Sequence, residues 1–149
     1  MQTELQIKIR DHTKVPPRSP HEILGGFVIL ARAIDKCRAE IAGRAGEYEF
    51  NCELDRYLFD FKGTDAQAFK VNVSEGSTDD ELVDFVKATG TQKTDQEIYE
   101  WSEEMKNMTY HGDEDDGDWF DGECHRLGLD PSKTTLFQML DEDDKQLFQ

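Results

Sequence analysis

Long apolar runs are absent from this chain of 149 residues, and cysteine is scarce. No apolar run approaches the roughly 18 residues of a membrane-spanning helix, and the N-terminus lacks the apolar core of a signal peptide. The three cysteines, Cys37, Cys52 and Cys124, are odd in number and widely spaced, which favours reduced thiols over a disulfide framework. We therefore expect a soluble, cytoplasmic protein that does not bind membranes.

Positive charge is scarce in the second half of the chain. Residues 1–74 contain 11 Lys and Arg against 11 Asp and Glu, whereas residues 75–149 contain 6 against 22, so the formal charge of −16 lies entirely in the C-terminal half. This half would repel the phosphates of nucleic acids and anionic lipids. Its charge is complementary to a basic protein partner, and solubility, adaptation to salt or a solvated helical face equally explains an acidic surface. No sequence feature specifies an oligomeric state.

Motifs for catalysis, cofactors and transition metals are also missing. There is no Cys-x-x-Cys and no His-x-x-x-His pair. Gly25-Gly26 has neither the preceding strand nor the Lys-Ser/Thr pair of a phosphate-binding loop. We predict no metal centre and no cofactor, and the absence of catalytic signatures favours a protein that is not an enzyme.

An acidic stretch at residues 113–123 leaves a calcium-responsive protein as one alternative. When Gly117 takes the sixth position of an EF-hand loop, three carboxylates fall on ligand positions: Glu114, Asp116 and Glu123. The first position is then Gly112, which has no side-chain ligand. A solvated helix terminus is the competing interpretation.

Helical signals cover most of the chain, so we predict a mainly α-helical bundle of about six helices. Apolar residues follow helical spacing from Phe27 to Ile41, before Gly43, which predicts a central buried helix. On its other side, Arg32 with Asp35 and Lys36 with Glu40 are spaced to pair along the helix. Further starts are predicted at Ser19, Asp65, Thr78 and Thr94, the last two as capping boxes with Glu81 and Glu97.

Alternating apolar residues and two adjacent prolines indicate how the N-terminal residues are organised. Leu5, Ile7 and Ile9 alternate as in a short strand, and Val15-Pro-Pro-Arg18 forces extended backbone, so we expect residues 1–18 to form an N-terminal arm. Residues 19–149 are then a single helical domain. An alternating, aromatic-rich segment near 47–52 predicts a short strand or extended connector.

Three segments of the first third resemble an uncharacterised bacterial family of domains of unknown function. They are Arg18-Ser-Pro-His-Glu-Ile-Leu-Gly-Gly-Phe27, Leu30-Ala-Arg-Ala-Ile-Asp-Lys36 and Gly46-Glu-Tyr-Glu-Phe-Asn-Cys52. The resemblance implies a single-domain soluble bacterial protein, and it supplies no substrate, reaction or catalytic residue.

A polar set within these segments is the candidate binding site: Arg32, Asp35, Lys36, Glu47, Tyr48 and Asp55. If the segment that carries Glu47, Tyr48 and Asp55 folds over the central helix, the set becomes either a buried charge network or a small-molecule site. Our leading hypothesis is a non-enzymatic interaction or ligand-binding module with an acidic C-terminal surface. The alternative is a small enzyme in which Glu47 or Asp55 acts as general acid or base beside the helix.

Overall fold

The structure is a computed structural model that describes residues 9–149. These residues contain seven α-helices and no strand. The helices are α1 (Leu30–Ile41), α2 (Glu53–Lys62), α3 (Ala66–Ser74), α4 (Asp79–Ala88), α5 (Asp95–Asn107), α6 (Gly117–Leu127) and α7 (Leu136–Leu147), with a 3₁₀ turn at Pro131–Lys133. The mainly helical class is confirmed. The predicted number of about six helices is one too low.

Helix α1 is the centre of the fold. Every residue from Leu30 to Ala39 is buried, and the helix packs against α2 and α3. Helix α3 packs in turn on α4, and α7 packs on α5 and α6. Because α1 is covered on all sides, its polar face is as buried as its apolar face, and this arrangement positions the candidate site.

The chain enters α1 through a strained residue. Ile29 has a φ of 73°, in the left-handed region that a β-branched side chain disfavours. Its side chain is fully buried and its N–H donates to the carbonyl of Pro20 at 3.0 Å. Core packing and this hydrogen bond therefore hold a conformation that the local sequence would avoid.

Four of the other helices begin at a residue whose side chain caps the helix N-terminus. The hydroxyls of Thr78 and Thr94 accept from the backbone N–H three residues on, with Glu81 and Glu97 completing both predicted capping boxes. Asp65 caps α3, and Thr135 caps α7 through a box with Gln138. These caps satisfy N–H groups that a helix leaves without intrahelical acceptors.

Two local predictions are wrong. The segment near 47–52 is a connector of turns and irregular backbone, and the strand alternative is wrong. A strand needs a neighbour for its hydrogen bonds, and no strand occurs in residues 9–149 to supply one. Asn51 instead takes a φ of 61°, and its N–H donates to the Asp55 carboxylate at 2.8 Å. The helix expected to start at Ser19 is a turn that ends before Gly25 and Gly26, both of which have positive φ.

The expected N-terminal arm lies partly outside the described residues, since Leu5 and Ile7 belong to 1–8. Residues 9–18 have no helix or strand, and His12 and Pro17 are buried. The division into an arm and a domain stays a prediction. No helix within 9–149 is long and apolar enough to span a membrane.

Candidate functional site

Four charged side chains of α1 lie in the interior of the protein. Arg32, Asp35, Lys36 and Arg38 are each between 2% and 6% exposed. A buried charge is costly unless an opposite charge and hydrogen bonds replace the water it has lost. Their partners therefore decide whether this cluster is scaffold or a site with free chemistry.

Arg32 pairs with the last helix. Its guanidinium donates to both oxygens of Asp144, at 2.8 and 3.3 Å, and lies over the ring of Tyr48 at 5.5 Å. The Tyr48 hydroxyl donates to the same carboxylate at 2.7 Å. Burial, and then this bond to Asp144, raises the pKa of Tyr48, so the phenol stays protonated. Helix α7 is thus joined to α1 by a closed set of contacts.

Asp35 pairs with the segment that precedes the fold's first helix. Its carboxylate accepts from the backbone N–H, the Nε and a terminal nitrogen of Arg18 at 2.9 to 3.0 Å. Arg18 also donates to Asp79 at 2.9 Å, and Arg38 donates to Asp79 at 2.8 Å. Burial raises the pKa of Asp79, but the two guanidinium groups lower it more, and the net direction is downward.

Lys36 pairs with the start of α2. Its ammonium lies 3.0 Å from Asp55 Oδ1 and 3.1 Å from Cys52 Sγ. The second oxygen of Asp55 accepts the Asn51 N–H. Asp55 is fully buried, so this pair is shielded from water, whereas Cys52 is only half-buried.

An open cavity of about 360 Å³ lies beside these pairs. The lining residues are Arg32, Lys36, Glu47, Tyr48, Glu49, Cys52, Leu54, Leu140, Asp143 and Leu147. The structure therefore brings Arg32, Lys36, Glu47 and Tyr48 of the predicted set to one cavity. Asp35 and Asp55 do not line it; Asp35 is buried against Arg18 and Asp55 against Lys36.

The arrangement offers little acid or base chemistry. Arg32, Asp35 and Lys36 are each committed to a carboxylate or guanidinium partner, so none is free to exchange a proton with a substrate. The local pairs expected along α1 do not form; Asp35 binds Arg18, and Glu40 binds Lys70 at 2.7 Å. Since α1 is enclosed, its charges meet groups on other elements before they meet each other.

Metal ligands do not converge in the described part of the chain. No group of three or more His, Cys, Asp or Glu in residues 9–149 could hold a metal ion. In the acidic stretch, Asp113 accepts the N–H groups of Asp115 and Asp116, and Glu123 pairs with Arg126 at 2.8 Å. The carboxylates therefore organise the start of α6 and its surface, and no geometry supports the calcium alternative.

The sequence did not predict that four further charged residues take part in these ion pairs: Arg18, Arg38, Asp79 and Asp144. Arg38 fell on the apolar stripe of α1, and Asp144 lay in an acidic run typical of solvated surface. No spacing links Arg32 to a carboxylate 112 residues later. Only Arg18 carried a signal, because it opens the first of the segments that resemble the family.

These observations define a class of protein: a small, mainly helical protein whose central helix is held by buried ion pairs beside an open cavity. The chain belongs to the family described as domain of unknown function DUF5069, whose model matches residues 14–146. A search of functionally curated proteins found no match.

Proposed function

We propose that this protein is a non-enzymatic interaction module that binds a basic protein partner through its acidic C-terminal surface. The observation that carries the proposal is the unequal burial of charge. Ion pairs at and beside α1 hold four cations of the N-terminal half, Arg18, Arg32, Lys36 and Arg38, while most carboxylates of the C-terminal half are exposed to solvent.

These ion pairs account for four of the cations of the N-terminal half. Arg32 binds Asp144, and Arg18 and Arg38 share Asp79, so three guanidinium groups of the neutral half are matched by two carboxylates of the acidic half. Lys36 is matched by Asp55 within its own half. These cations are therefore not available to offset the surface charge.

The exposed groups give that surface its sign. Thirteen carboxylates in residues 75–149 are exposed, against four cations. The carboxylates are Glu75, Asp80, Glu81, Asp84, Asp95, Glu97, Glu100, Glu104, Asp113, Glu114, Asp115, Asp118 and Asp130. Such a field raises the rate of encounter with a cationic partner and repels a second copy of the chain.

The enzyme alternative is less well supported. It needs Glu47 or Asp55 as a general acid or base next to a free cation on α1. Asp55 is fully buried against Lys36, and Glu47 is exposed at the mouth of the cavity with no ion pair among the described residues. Burial and the ion pair with Lys36 shield Asp55 from a substrate. Glu47 lacks the partial burial and, among residues 9–149, the paired titratable group that are typical of a catalytic acid.

The proposal is tested by titrating the full chain with a library of Lys- and Arg-rich peptides at 20, 150 and 400 mM NaCl. We expect saturable one-to-one binding at 150 mM and a Kd that rises at least about tenfold across the series, because salt screens exposed charges. A matched Glu-rich library is the control. Binding that ignores ionic strength, or that never saturates at one peptide per chain, would contradict the proposal.

A further inference from the structure

Two cavities adjoin on the surface and are treated together as one groove. The cavity of about 360 Å³ beside α1 shares Leu54 and Leu140 with a second cavity of about 170 Å³. The second is lined by Glu53, Leu54, Tyr110, Asp116, Trp119, Leu136 and Leu140. The groove, defined by these two linings, runs along α7 beside the start of α2.

One side of α7 forms the length of the groove. Leu136, Leu140, Asp143 and Leu147 follow the spacing of a single helix face, and all four line it. From Leu136 to Leu147 the helix rises about 16 Å, the length of three helical turns. Trp119 at one end is 53% exposed and Leu147 at the other is 49% exposed. Large apolar surface is therefore open to solvent at both ends.

Carboxylates edge this apolar floor. Glu47 and Glu49 lie at the end near α1, and Glu53 lies at the end near Trp119. All three are exposed and take part in none of the ion pairs of residues 9–149. Asp116 and Asp143 add to the edge, although Asp143 already pairs with Arg126 at 2.9 Å.

Among residues 9–149, the cations that line the groove are Arg32 and Lys36, and each is neutralised by a buried carboxylate. Arg32 is bound by Asp144 and Lys36 by Asp55, and all four side chains are at least nine-tenths buried. The groove therefore presents leucine and aromatic side chains inside a negative edge. Its chemistry is the complement of a helix that carries leucines on one face and lysines or arginines on its flanks.

We propose that this groove binds a basic amphipathic helix of about three turns from a partner protein, laid along α7. The inference rests on the proposed function and gives the acidic module a defined docking site. The apolar face of the partner packs on Leu54, Leu140 and Leu147, and its flanking cations pair with Glu47, Glu49 and Glu53. A second copy of the chain carries the same charge of −16, which opposes its docking in this groove.

The test uses a synthetic 14-residue probe of Leu and Lys arranged as an amphipathic helix, with a fluorescent label for anisotropy, titrated at the same three NaCl concentrations as the peptide libraries. A probe of identical composition, scrambled so that no apolar face forms, is the first control. Unlabelled probe is titrated in parallel while tryptophan emission is recorded. Trp119 lies in the groove and Trp101 is buried in the core, so docking should shift the emission of Trp119 to shorter wavelength.

Two matched pairs of variants separate the groove from the general acidic surface. The groove variant E47Q/E49Q/E53Q should weaken the amphipathic probe about tenfold. The control variant E75Q/D84N/E104Q removes the same charge from exposed sites outside both cavities, and should weaken it less than about threefold. L147N should weaken it about fivefold through lost apolar contact, whereas V71N, at a residue 46% exposed on α3, should leave it unchanged.

Each outcome has one meaning. Stronger binding of the amphipathic probe than of the scrambled one, with the Trp119 shift and selective loss in the groove variants, supports the groove. Salt-dependent binding that both triple variants weaken equally, without a Trp119 shift, overturns the groove and leaves the acidic interaction surface standing. Salt-independent binding, or no binding of either probe at low salt, overturns both. Circular dichroism of each variant confirms that it is folded.

Discussion

At the scale of residues, the protein depends on charges that its sequence gives no reason to bury. Arg32 and Asp144 are 4% and 6% exposed and meet in a two-point contact. Such a pair gains little over apolar residues of similar volume, but breaking it leaves an uncompensated charge in the interior. We therefore expect its main contribution to be specifying how α7 docks on α1.

Removal of one partner tests this role. We expect Arg32→Met to lower the free energy of unfolding by about 3–5 kcal/mol, because Asp144 is left buried without its countercharge. The double variant Arg32→Met with Asp144→Leu should recover at least half of that loss. Urea unfolding at pH 7 provides the measurement. A double variant as unstable as the single would show that the charges themselves, and not their mutual neutralisation, hold the helix.

The three cysteines should differ sharply in reactivity. Cys37 is fully buried, and burial raises its pKa to about 12, whereas Cys52 is half-buried beside the Lys36 ammonium. Because the thiolate is the reactive form, iodoacetamide at pH 8 should modify Cys52 about 100-fold faster than Cys37 or the buried Cys124. Peptide mass spectrometry over time reports the order. Equal rates in the folded protein would contradict these positions.

At the scale of elements, the end of α2 meets the end of α4 and the segment that follows it. Lys62, 1% exposed, donates to the carbonyls of Lys87, Thr89 and Thr91 at 3.3, 2.8 and 2.6 Å. Burial lowers the pKa of Lys62, and the nearby Lys93 lowers it further. Carbonyls at and just beyond the C-terminus of a helix lack intrahelical N–H donors. The Lys62 ammonium supplies hydrogen bonds to such carbonyls at the end of α4.

Gly90 makes this approach possible, and a matched pair of glycines isolates the effect. A Cβ at Gly90 would clash with the backbone carbonyl of Lys62, whereas one at Gly43 meets nothing within 4 Å. The two positions have similar φ, 67° and 72°, so their backbone strain is comparable. Gly90→Ala should therefore lower the free energy of unfolding by about 2 kcal/mol more than Gly43→Ala does, and it should lower the thermal midpoint further. Similar losses would mean that the contact between the two helix ends opens freely.

The elements also show what local sequence can predict. Capping boxes at Thr78 and Thr94 and the cap at Asp65 were predicted correctly, because a cap is formed by residues within one turn of each other. The pairs expected along α1 and the strand near 47–52 were not, because both depend on which distant surface covers them. The cavity could not be predicted for the same reason, because its lining residues come from α1, α2, α7 and the turns between α1 and α2.

At the scale of the whole molecule, the charge of −16 opposes compactness. Salt screens repulsion among exposed carboxylates but reaches buried pairs much less. Raising NaCl from 10 to 300 mM should therefore raise the thermal midpoint by a few degrees, a shift measured by calorimetry. A fall in the midpoint would mean that exposed ion pairs such as Lys70 with Glu40 outweigh the repulsion.

Acid should weaken the fold through Asp79. The net lowering of its pKa in the folded state means that this carboxylate stabilises the protein above its unfolded pKa, and that the stabilisation is lost as pH falls through the folded value. We therefore expect stability to drop below about pH 4. Asp79→Asn should reduce stability at pH 7 and flatten this decline. An unchanged slope in urea titrations from pH 5 to 2.5 would assign the acid dependence to other groups.

The sequence by itself determined the helical class, most helix starts, the family and the segregation of charge, because each follows from neighbours in the chain or from composition. Only the tertiary structure decided which charges lie inside. Arg32 and Asp144 stand 112 residues apart, and Arg18 and Asp79 stand 61 apart, so no local pattern could pair them. The same packing left the apolar face of α7 and the carboxylates beside α2 facing one groove, which is why the surface chemistry emerges only after folding.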